Sequence, residues 1–169
     1  MKLLVFSDTH GSEMAAKRLK KVITSLQPDR IVCLGDILHG GYDEGGTELL
    51  TLLRKYSNII TAVRGNCDFP SDADDLLFSL PEYAAIVFDG HTCHLSHHQP
   101  YVTNFPPGDI VMYGHTHMKK LERVAGVTWL NPGSCCNPRD EGTSYALIEN
   151  GEAGLYNLDD MSLIKKVEL

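Results

Sequence analysis

Residues 2–11 read Lys-Leu-Leu-Val-Phe-Ser-Asp-Thr-His-Gly, an apolar run that ends abruptly in a polar turn. A continuous apolar run of this length is typical of a strand buried on both faces of a sheet. A helix is predicted from about Glu13 to Leu26, because Ser12 is a favourable N-cap residue and apolar side chains then recur at helical spacing. This stretch therefore predicts the first strand and helix of an α/β fold.

The alternation of strand and helix continues through the first third of the chain. A second strand is predicted at 30–34, a second helix at 47–56 and a third strand at 58–63. Strands that are joined by helices usually run parallel, so the first sheet is expected to be largely parallel.

The second half of the chain is richer in hairpin signals. Asp89-Gly90, Ala125-Gly126 and Asn150-Gly151 each separate two runs of strand-like composition, and short links of this kind favour antiparallel hairpins. Helices early and hairpins late indicate two sheets that pack face to face with helices outside. No repeat or linker divides the sequence, so a single domain spanning 1–169 is expected.

Composition restricts the class of function. The net charge of −7 offers no basic surface for nucleic acid. No apolar stretch approaches the length of a membrane span, and the opening run is too short for the apolar region of a signal peptide. The five cysteines, mostly in apolar surroundings, indicate reduced buried thiols, so a cytoplasmic location is expected.

Polar side chains rich in Asp, Asn and His follow most of the predicted strands in the first two-thirds of the chain. Ligands of open α/β sheets bind beyond the carboxyl ends of strands, so these turns are expected to converge on one rim. The residues concerned are Asp8, His10, Asp36, Asn66, His97, His115 and His117.

This set of side chains predicts a metal centre. Carboxylate oxygen, amide oxygen and imidazole nitrogen together suit Mn²⁺, Fe²⁺ or Zn²⁺ better than Ca²⁺ or Mg²⁺. Seven ligands are too many for one tetrahedral ion but fit two ions that share a carboxylate, and such a pair could clamp a phosphate and activate a water. Two divalent ions per chain are therefore predicted, with Mn as the first choice and Fe, Zn or Ni as alternatives.

The order of these residues resembles the calcineurin-like metallophosphoesterases, and further stretches at 63–68, 113–117 and 131–134 resemble their small YfcE-type phosphodiesterases. The resemblance covers nearly the whole chain. It implies a four-layer αββα sandwich of two mixed β-sheets flanked by helices, and hydrolysis of phosphodiesters by a hydroxide activated between two metal ions. A small phosphodiester is the implied partner; a homo-oligomer is compatible with the sequence.

The resemblance also implies individual roles. The first metal would be held by Asp8, His10, Asp36 and His117. The second would be held by Asp36, Asn66, His97 and His115, with Asp36 bridging. Asn66, Cys67 and Asp68 are the implied catalytic residues, and Asn66, Arg64 and His98 the implied substrate-binding residues.

Several of these assignments leave alternatives open. Most of the family has His where this chain has Cys67, which leaves the general acid undefined. His98 could exchange roles with His97 as the metal ligand. Arg64 could equally pair with Asp68 or another carboxylate instead of binding phosphate.

Two other functions compete with a phosphodiesterase. The first is a protein-binding scaffold on the same fold, like the retromer subunit that has lost key ligands; the presence of Asp36 and Asn66 argues against it. The second is a single-metal or redox protein, which the absence of any Cys-x-x-Cys spacing disfavours. His91 and His94 are expected to lie outside the site, and the loops 39–46 and 99–107 are expected to set substrate specificity.

Overall fold

The computed structural model describes residues 1–41 and 46–169. Within these ranges the helices are α1 (Glu13–Leu26), α2 (Thr47–Lys55) and α3 (Asp72–Leu76). The strands are β1 (Lys2–Phe6), β2 (Arg30–Cys33), β3 (Ile60–Ala62), β4 (Tyr83–Phe88), β5 (His91–Ser96), β6 (Ile110–Met112), β7 (Lys119–Val124), β8 (Val127–Pro132), β9 (Ser144–Glu149), β10 (Glu152–Asn157) and β11 (Leu163–Glu168).

The strands form two mixed sheets. The six-stranded sheet has the order β11-β10-β9-β1-β2-β3, and the five-stranded sheet has the order β4-β5-β6-β8-β7. β1, β2 and β3 run parallel, as do β5, β6 and β8, while the hairpin partners are antiparallel. The predicted fold class is confirmed: an α/β fold with two mixed β-sheets flanked by helices.

The first strand joins two hydrophobic clusters, because its alternate side chains point to opposite faces. Leu4 and Phe6 pack with the buried faces of all three helices, whereas Leu3 and Val5 pack between the two sheets. All four side chains are fully buried, and burial of such a side chain contributes about 1.5–3 kcal/mol. β1 is thus central to both layers of the core, as its uninterrupted apolar sequence predicts.

Most element boundaries agree with the sequence to within two residues. α1 matches its prediction, and the Ser12 hydroxyl accepts a hydrogen bond from the Ala15 N–H at 3.2 Å. α3 and β11 are not predicted from the sequence. α3 is only one turn long, and the side chains of β11 are mostly exposed and show no clear alternation of apolar and polar residues. None of the described helices combines the length and the apolar composition that a membrane crossing requires.

Candidate metal centre

The turns that carry the predicted ligands have an unusual backbone. Five of the seven residues adopt positive φ angles, a conformation that costs a non-glycine residue about 1–3 kcal/mol and that clusters at functional sites. The residues are Asp8 (55°), His10 (47°), Asp36 (52°), His115 (62°) and His117 (58°). These backbone conformations occur where the side chains lie close together beyond the strand ends.

A first group consists of Asp8, His10, Asp36 and His117. Their ligating atoms all lie within 4.8 Å of one another, and all four residues are buried. His117 Nε2 is 3.2 Å from Asp8 Oδ1, and His10 Nε2 is 3.8 Å from Asp36 Oδ2. The structure thus brings together the four residues that the family resemblance implies around the first metal.

The histidines of this group have a defined tautomer. His10 Nδ1 lies 2.7 Å from the His39 carbonyl oxygen, and His117 Nδ1 lies 2.7 Å from the Asn137 carbonyl oxygen. A carbonyl only accepts, so each Nδ1 carries the hydrogen and each neutral ring presents the lone pair of Nε2 to the carboxylates. Backbone partners of this kind are characteristic of metal-binding histidines.

Asp8 provides the test of whether a cation fits. The residue is fully buried, and Oδ2 accepts the His115 N–H at 3.1 Å, but Oδ1 accepts no hydrogen bond. A buried charged oxygen without a partner is costly. A divalent ion bound by Oδ1 and the two Nε2 atoms would remove this cost, so the donor set fits a metal ion. A protonated His117 would donate a hydrogen bond to Asp8, which raises the pKa of His117, so a proton competes with a metal ion for the same position.

A second group lies on the other side of Asp36. Asn66 Oδ1 is 3.1 Å from His97 Nε2 and 2.9 Å from His115 Nδ1, and His97 Nε2 is 3.4 Å from Asp36 Oδ2. His97 Nδ1 lies 2.6 Å from the Leu34 carbonyl oxygen, so Nδ1 carries a hydrogen. Asp36 therefore stands between the two groups, and its role as a bridging ligand, which the family resemblance implies, stays a prediction.

Asp36 is held as a carboxylate in this position. Burial raises its pKa, but the hydrogen bonds from His97 and the Cys67 N–H outweigh burial and bring the pKa to about 2. Two glycines allow the close approach: a Cβ on Gly65 would lie 2.1 Å from Asp36 Oδ1, and Gly35 has a φ of 93°. No other residue type fits at Gly65.

Asp68 organises the turn behind Asp36. Its carboxylate accepts three backbone N–H groups, from Asp36 at 2.8 Å, Ile37 at 2.7 Å and Gly65 at 2.8 Å. These contacts order the backbone around the bridging residue. A catalytic role for Asp68 stays a prediction, and its contacts are those of a positioning residue.

Cys67 contacts Asp36, which the two groups share, and Asn66 of the second group. Its N–H donates to Asp36 Oδ1 at 2.8 Å, and its Sγ accepts from Asn66 Nδ2 at 3.4 Å. Burial, together with the negative charge of Asp36, raises the pKa of the thiol to about 11. The side chain is therefore a neutral thiol next to the second group.

A cavity of about 480 Å³ adjoins the second group and is lined by Asn66, Arg64, Glu82, Ser96 and His98, among others. The Arg64 Nη2 atom donates to Glu82 Oε1 at 2.6 Å, so Arg64 pairs with a carboxylate other than Asp68. His98 is exposed and lies with its ring centroid 4.1 Å from that of His115. The ligating atoms of His97, His98 and His115 also lie within 4.8 Å of one another, so His98 remains an alternative ligand.

The comparisons with known proteins identify the family of this chain. Residues 1–152 match the family model of the calcineurin-like phosphoesterase superfamily domain. The chain belongs to this superfamily. This membership confirms the prediction of a metal-dependent phosphoric ester hydrolase that binds divalent ions.

Individual members of the superfamily align over most of their length. Phosphodiesterase YfcE of Escherichia coli K12 is 30% identical over 183 residues, which cover 100% of this chain and 98% of the relative. The probable metallophosphoesterase YsnB of Bacillus subtilis is 30% identical over 156 residues, covering 88% and 83%. The solved structure of the YfcE phosphoesterase from E. coli superimposes with a TM-score of 0.91 and 29% identity, over 99% of each chain.

A protein of a different kind has the same fold. The zinc complex of Vps29 from Entamoeba histolytica superimposes with a TM-score of 0.70 over 99% of each chain, at 22% identity. At this identity the likeness concerns the fold alone.

Histidines outside the two groups have other partners. His91 Nδ1 lies 2.8 Å from the Gly108 carbonyl oxygen, and His94 lies 2.7 Å from the Tyr83 hydroxyl and 2.8 Å from Asp109 Oδ2. Both fit the expectation of satisfied histidines away from the site.

Two parts of the surroundings of the site complete the comparison with the sequence. Of the loop 39–46, which was expected to set specificity, residues 42–45 lie outside the described ranges. The sequence missed Glu82, because an exposed Glu near a predicted strand carries no signal of its own.

Proposed function

We propose that this protein is a phosphodiesterase that hydrolyses small phosphodiesters with two divalent metal ions. The observation that carries the proposal is the position of Asp36, whose Oδ2 is 3.8 Å from His10 Nε2 and 3.4 Å from His97 Nε2. One carboxylate thus belongs to two separate groups of ligating atoms. This arrangement suits a pair of ions better than a single ion.

Each ion has its own set of side chains. The first would be held by Asp8, His10, Asp36 and His117, and the second by Asp36, Asn66, His97 and His115. Bound divalent ions of this kind neutralise charge on a phosphate and lower the pKa of a water molecule towards ~7. The mixed oxygen and nitrogen donors are compatible with Mn, Fe, Zn or Ni, of which we propose Mn as the first choice.

The remaining polar groups would bind and orient the substrate. Asn66 Oδ1 faces the two histidines of the second group, and one N–H of its Nδ2 donates to Cys67 Sγ, which leaves the other N–H as a donor to a phosphate oxygen. Arg64 and His98 line the adjoining cavity, where they would contact the substrate. Asp68 keeps Asp36 in position through the backbone.

Two features favour a diester over a monoester. Arg64 is the only Arg or Lys among the described residues that line the cavity, and it is paired with Glu82, so these residues offer little net positive charge to a dianionic monoester. The curated relatives include proteins named phosphodiesterase from E. coli and Methanocaldococcus jannaschii. Both points support a small, singly charged diester as substrate. The proposed location of the protein is the cytoplasm.

The decisive experiment combines metal analysis with a substrate pair. Purified protein is depleted with a chelator, reloaded separately with Mn, Fe, Zn or Ni, and assayed on bis(4-nitrophenyl) phosphate and 4-nitrophenyl phosphate. About two bound ions per chain and faster turnover of the diester are expected. Full loading without turnover of either ester would favour the scaffold alternative, for which the fold shared with Vps29 is the supporting observation. Faster turnover of the monoester would contradict the diester assignment.

A further inference from the structure

The edge strand β4 differs from the other sheet edges. It reads Tyr-Ala-Ala-Ile-Val-Phe, six residues without a charge or a proline. It lies at the end of the five-stranded sheet, with β5 as its neighbour on one side. An exposed, uncharged strand edge presents unpaired backbone groups to any other strand.

The other edges carry the usual protection. β7, at the opposite end of the same sheet, reads Lys-Lys-Leu-Glu-Arg-Val, and β11 in the six-stranded sheet reads Leu-Ile-Lys-Lys-Val-Glu. The remaining edge, β3, is only three residues long. Charges and short length are the devices that keep edge strands from pairing. Of the four edges in the described ranges, β4 is therefore the one without such a device.

Apolar side chains on both faces of β4 remain accessible. On the outer face Tyr83 is 55% exposed and Val87 is 75% exposed. On the inner face Ala84 and Ile86 pack against the cluster between the sheets but are only partly buried. A strand added to this edge would cover apolar surface on both faces and pair the outer backbone groups.

We propose that β4 pairs antiparallel with β4 of a second copy of this chain, so that two five-stranded sheets become one ten-stranded sheet. A two-fold axis through the edge makes the strand its own antiparallel partner. In an antiparallel pair, directly opposite residues point to the same face of the sheet. The two-fold axis must therefore pass at a single residue, which then lies opposite itself in the second copy, and not between two residues. The best such register has Ala85 on the axis.

This register has specific consequences for neighbouring side chains. It sets Tyr83 opposite Val87 of the other copy, twice, and an aromatic–β-branched pair of this kind stabilises a sheet by about 0.2–1 kcal/mol. An axis through Ile86 would instead set Tyr83 opposite the second copy's Asp89, and an axis through Ala84 would set Val87 opposite Pro81, so neither of these registers forms the Tyr83–Val87 pair. The uncharged strand lets two chains of net charge −7 meet without like charges in contact.

The proposal is tested by measuring the mass of the protein in solution, with a matched control variant on the opposite edge of the same sheet. Light scattering of the metal-loaded wild-type protein should give twice the chain mass of 18.7 kDa. Val87→Lys should give the monomer mass, whereas Val124→Lys, at a residue of 53% exposure on β7, should remain a dimer. Unchanged metal content and thermal unfolding of both variants would show that they fold. A monomeric wild type, a dimeric Val87→Lys or a monomeric Val124→Lys would each overturn the proposal.

The register has its own measurement. Residues directly opposite each other in an antiparallel pair have Cα atoms about 4.5–5.5 Å apart, within the range of a disulfide. Ala85→Cys should therefore form a covalent dimer under mild oxidation, and Val124→Cys should not. Failure of Ala85→Cys to cross-link, or equal cross-linking of both variants, would rule out pairing centred on Ala85.

Discussion

His10 Nε2 and His117 Nε2 lie 3.3 Å apart, although the Nδ1 atom of each ring is committed to a backbone carbonyl. Two neutral imidazoles in this tautomer point lone pairs at each other, beside a buried Asp8 oxygen that accepts no hydrogen bond. Such an arrangement is costly unless a cation is bound between the donors. The cost links metal binding to the stability of the fold.

Metal removal should therefore lower the melting temperature. Ligand at about 100 times its dissociation constant stabilises the folded state by about 2.7 kcal/mol, so readdition of Mn²⁺ after chelation should restore the transition. In His117→Asn the shift should largely disappear, since Asn tolerates the positive φ at this position but lacks the imidazole. His91→Ala should keep the full shift. A wild-type melting temperature that does not respond to metal would contradict the first group as a metal site.

The bridging position predicts the effect of Asp36→Asn. Loss of the shared carboxylate should reduce bound metal from about two ions per chain to one or none and remove most activity. Asp89→Asn is the matched control, because Asp89 also has a positive φ, of 46°, but lies in the β4–β5 turn. Asn suits both backbones, so the comparison isolates the carboxylate. Full metal content and near-normal turnover in Asp36→Asn would exclude a bridging role.

His97 and His98 should respond differently to substitution. His97 is 2% exposed and lies between Leu34, Asn66 and Asp36, whereas His98 is exposed beside His115. His97→Ala should lower metal content strongly. His98→Ala should keep the metal and change KM or kcat, because the cavity wall and not the ligand set is altered. The reverse result, measured as metal per chain, would identify His98 as the ligand.

Arg64 and Glu82 give a test of substrate charge. Glu82→Gln frees the guanidinium from its partner at 2.6 Å, so the cavity gains a net positive charge. We expect kcat/KM for 4-nitrophenyl phosphate to rise relative to that for the diester. Glu152→Gln, which removes an exposed Lys166 partner far from the cavity, is the control. Arg64→Gln should raise KM for both esters; unchanged kinetics in both cavity variants would remove Arg64 from the substrate-binding residues.

The convergence of the seven side chains could be predicted from the sequence, because they follow buried strands whose ends meet at one rim. Their roles as metal ligands stay a prediction. The Nδ1 partners could not be predicted, because they are backbone carbonyls of His39, Asn137 and Leu34 that any residue type would supply.

The missed elements have equally specific reasons. β11 is held by antiparallel pairing with β10 and exposes most of its side chains, so no apolar alternation marks it. The third strand is shorter than the predicted 58–63, because Ile59 N–H closes a turn on the Tyr56 carbonyl at 3.0 Å before β3 begins. Local hydrogen bonds of this kind override the apolar pattern.

The last prediction concerns Cys67 and the leaving group of the substrate. A positioned acid commonly contributes roughly 10²–10⁴-fold to the departure of a poor leaving group. Burial and Asp36 raise the pKa of the Cys67 thiol to about 11, so it stays protonated at neutral pH, yet a thiol is a weak hydrogen-bond donor. The site should therefore favour diesters whose leaving groups are stable phenolates.

Two substitutions separate this account from a chemical role of the sulfur. Cys67→His should raise kcat most on dialkyl esters, where protonation of the leaving alkoxide matters, and least on bis(4-nitrophenyl) phosphate. Cys67→Ser should leave turnover of the nitrophenyl diester largely intact, because the backbone N–H that donates to Asp36 Oδ1 at 2.8 Å is retained. Loss of that turnover in Cys67→Ser, with metal content unchanged, would mean that the thiol itself takes part in the reaction.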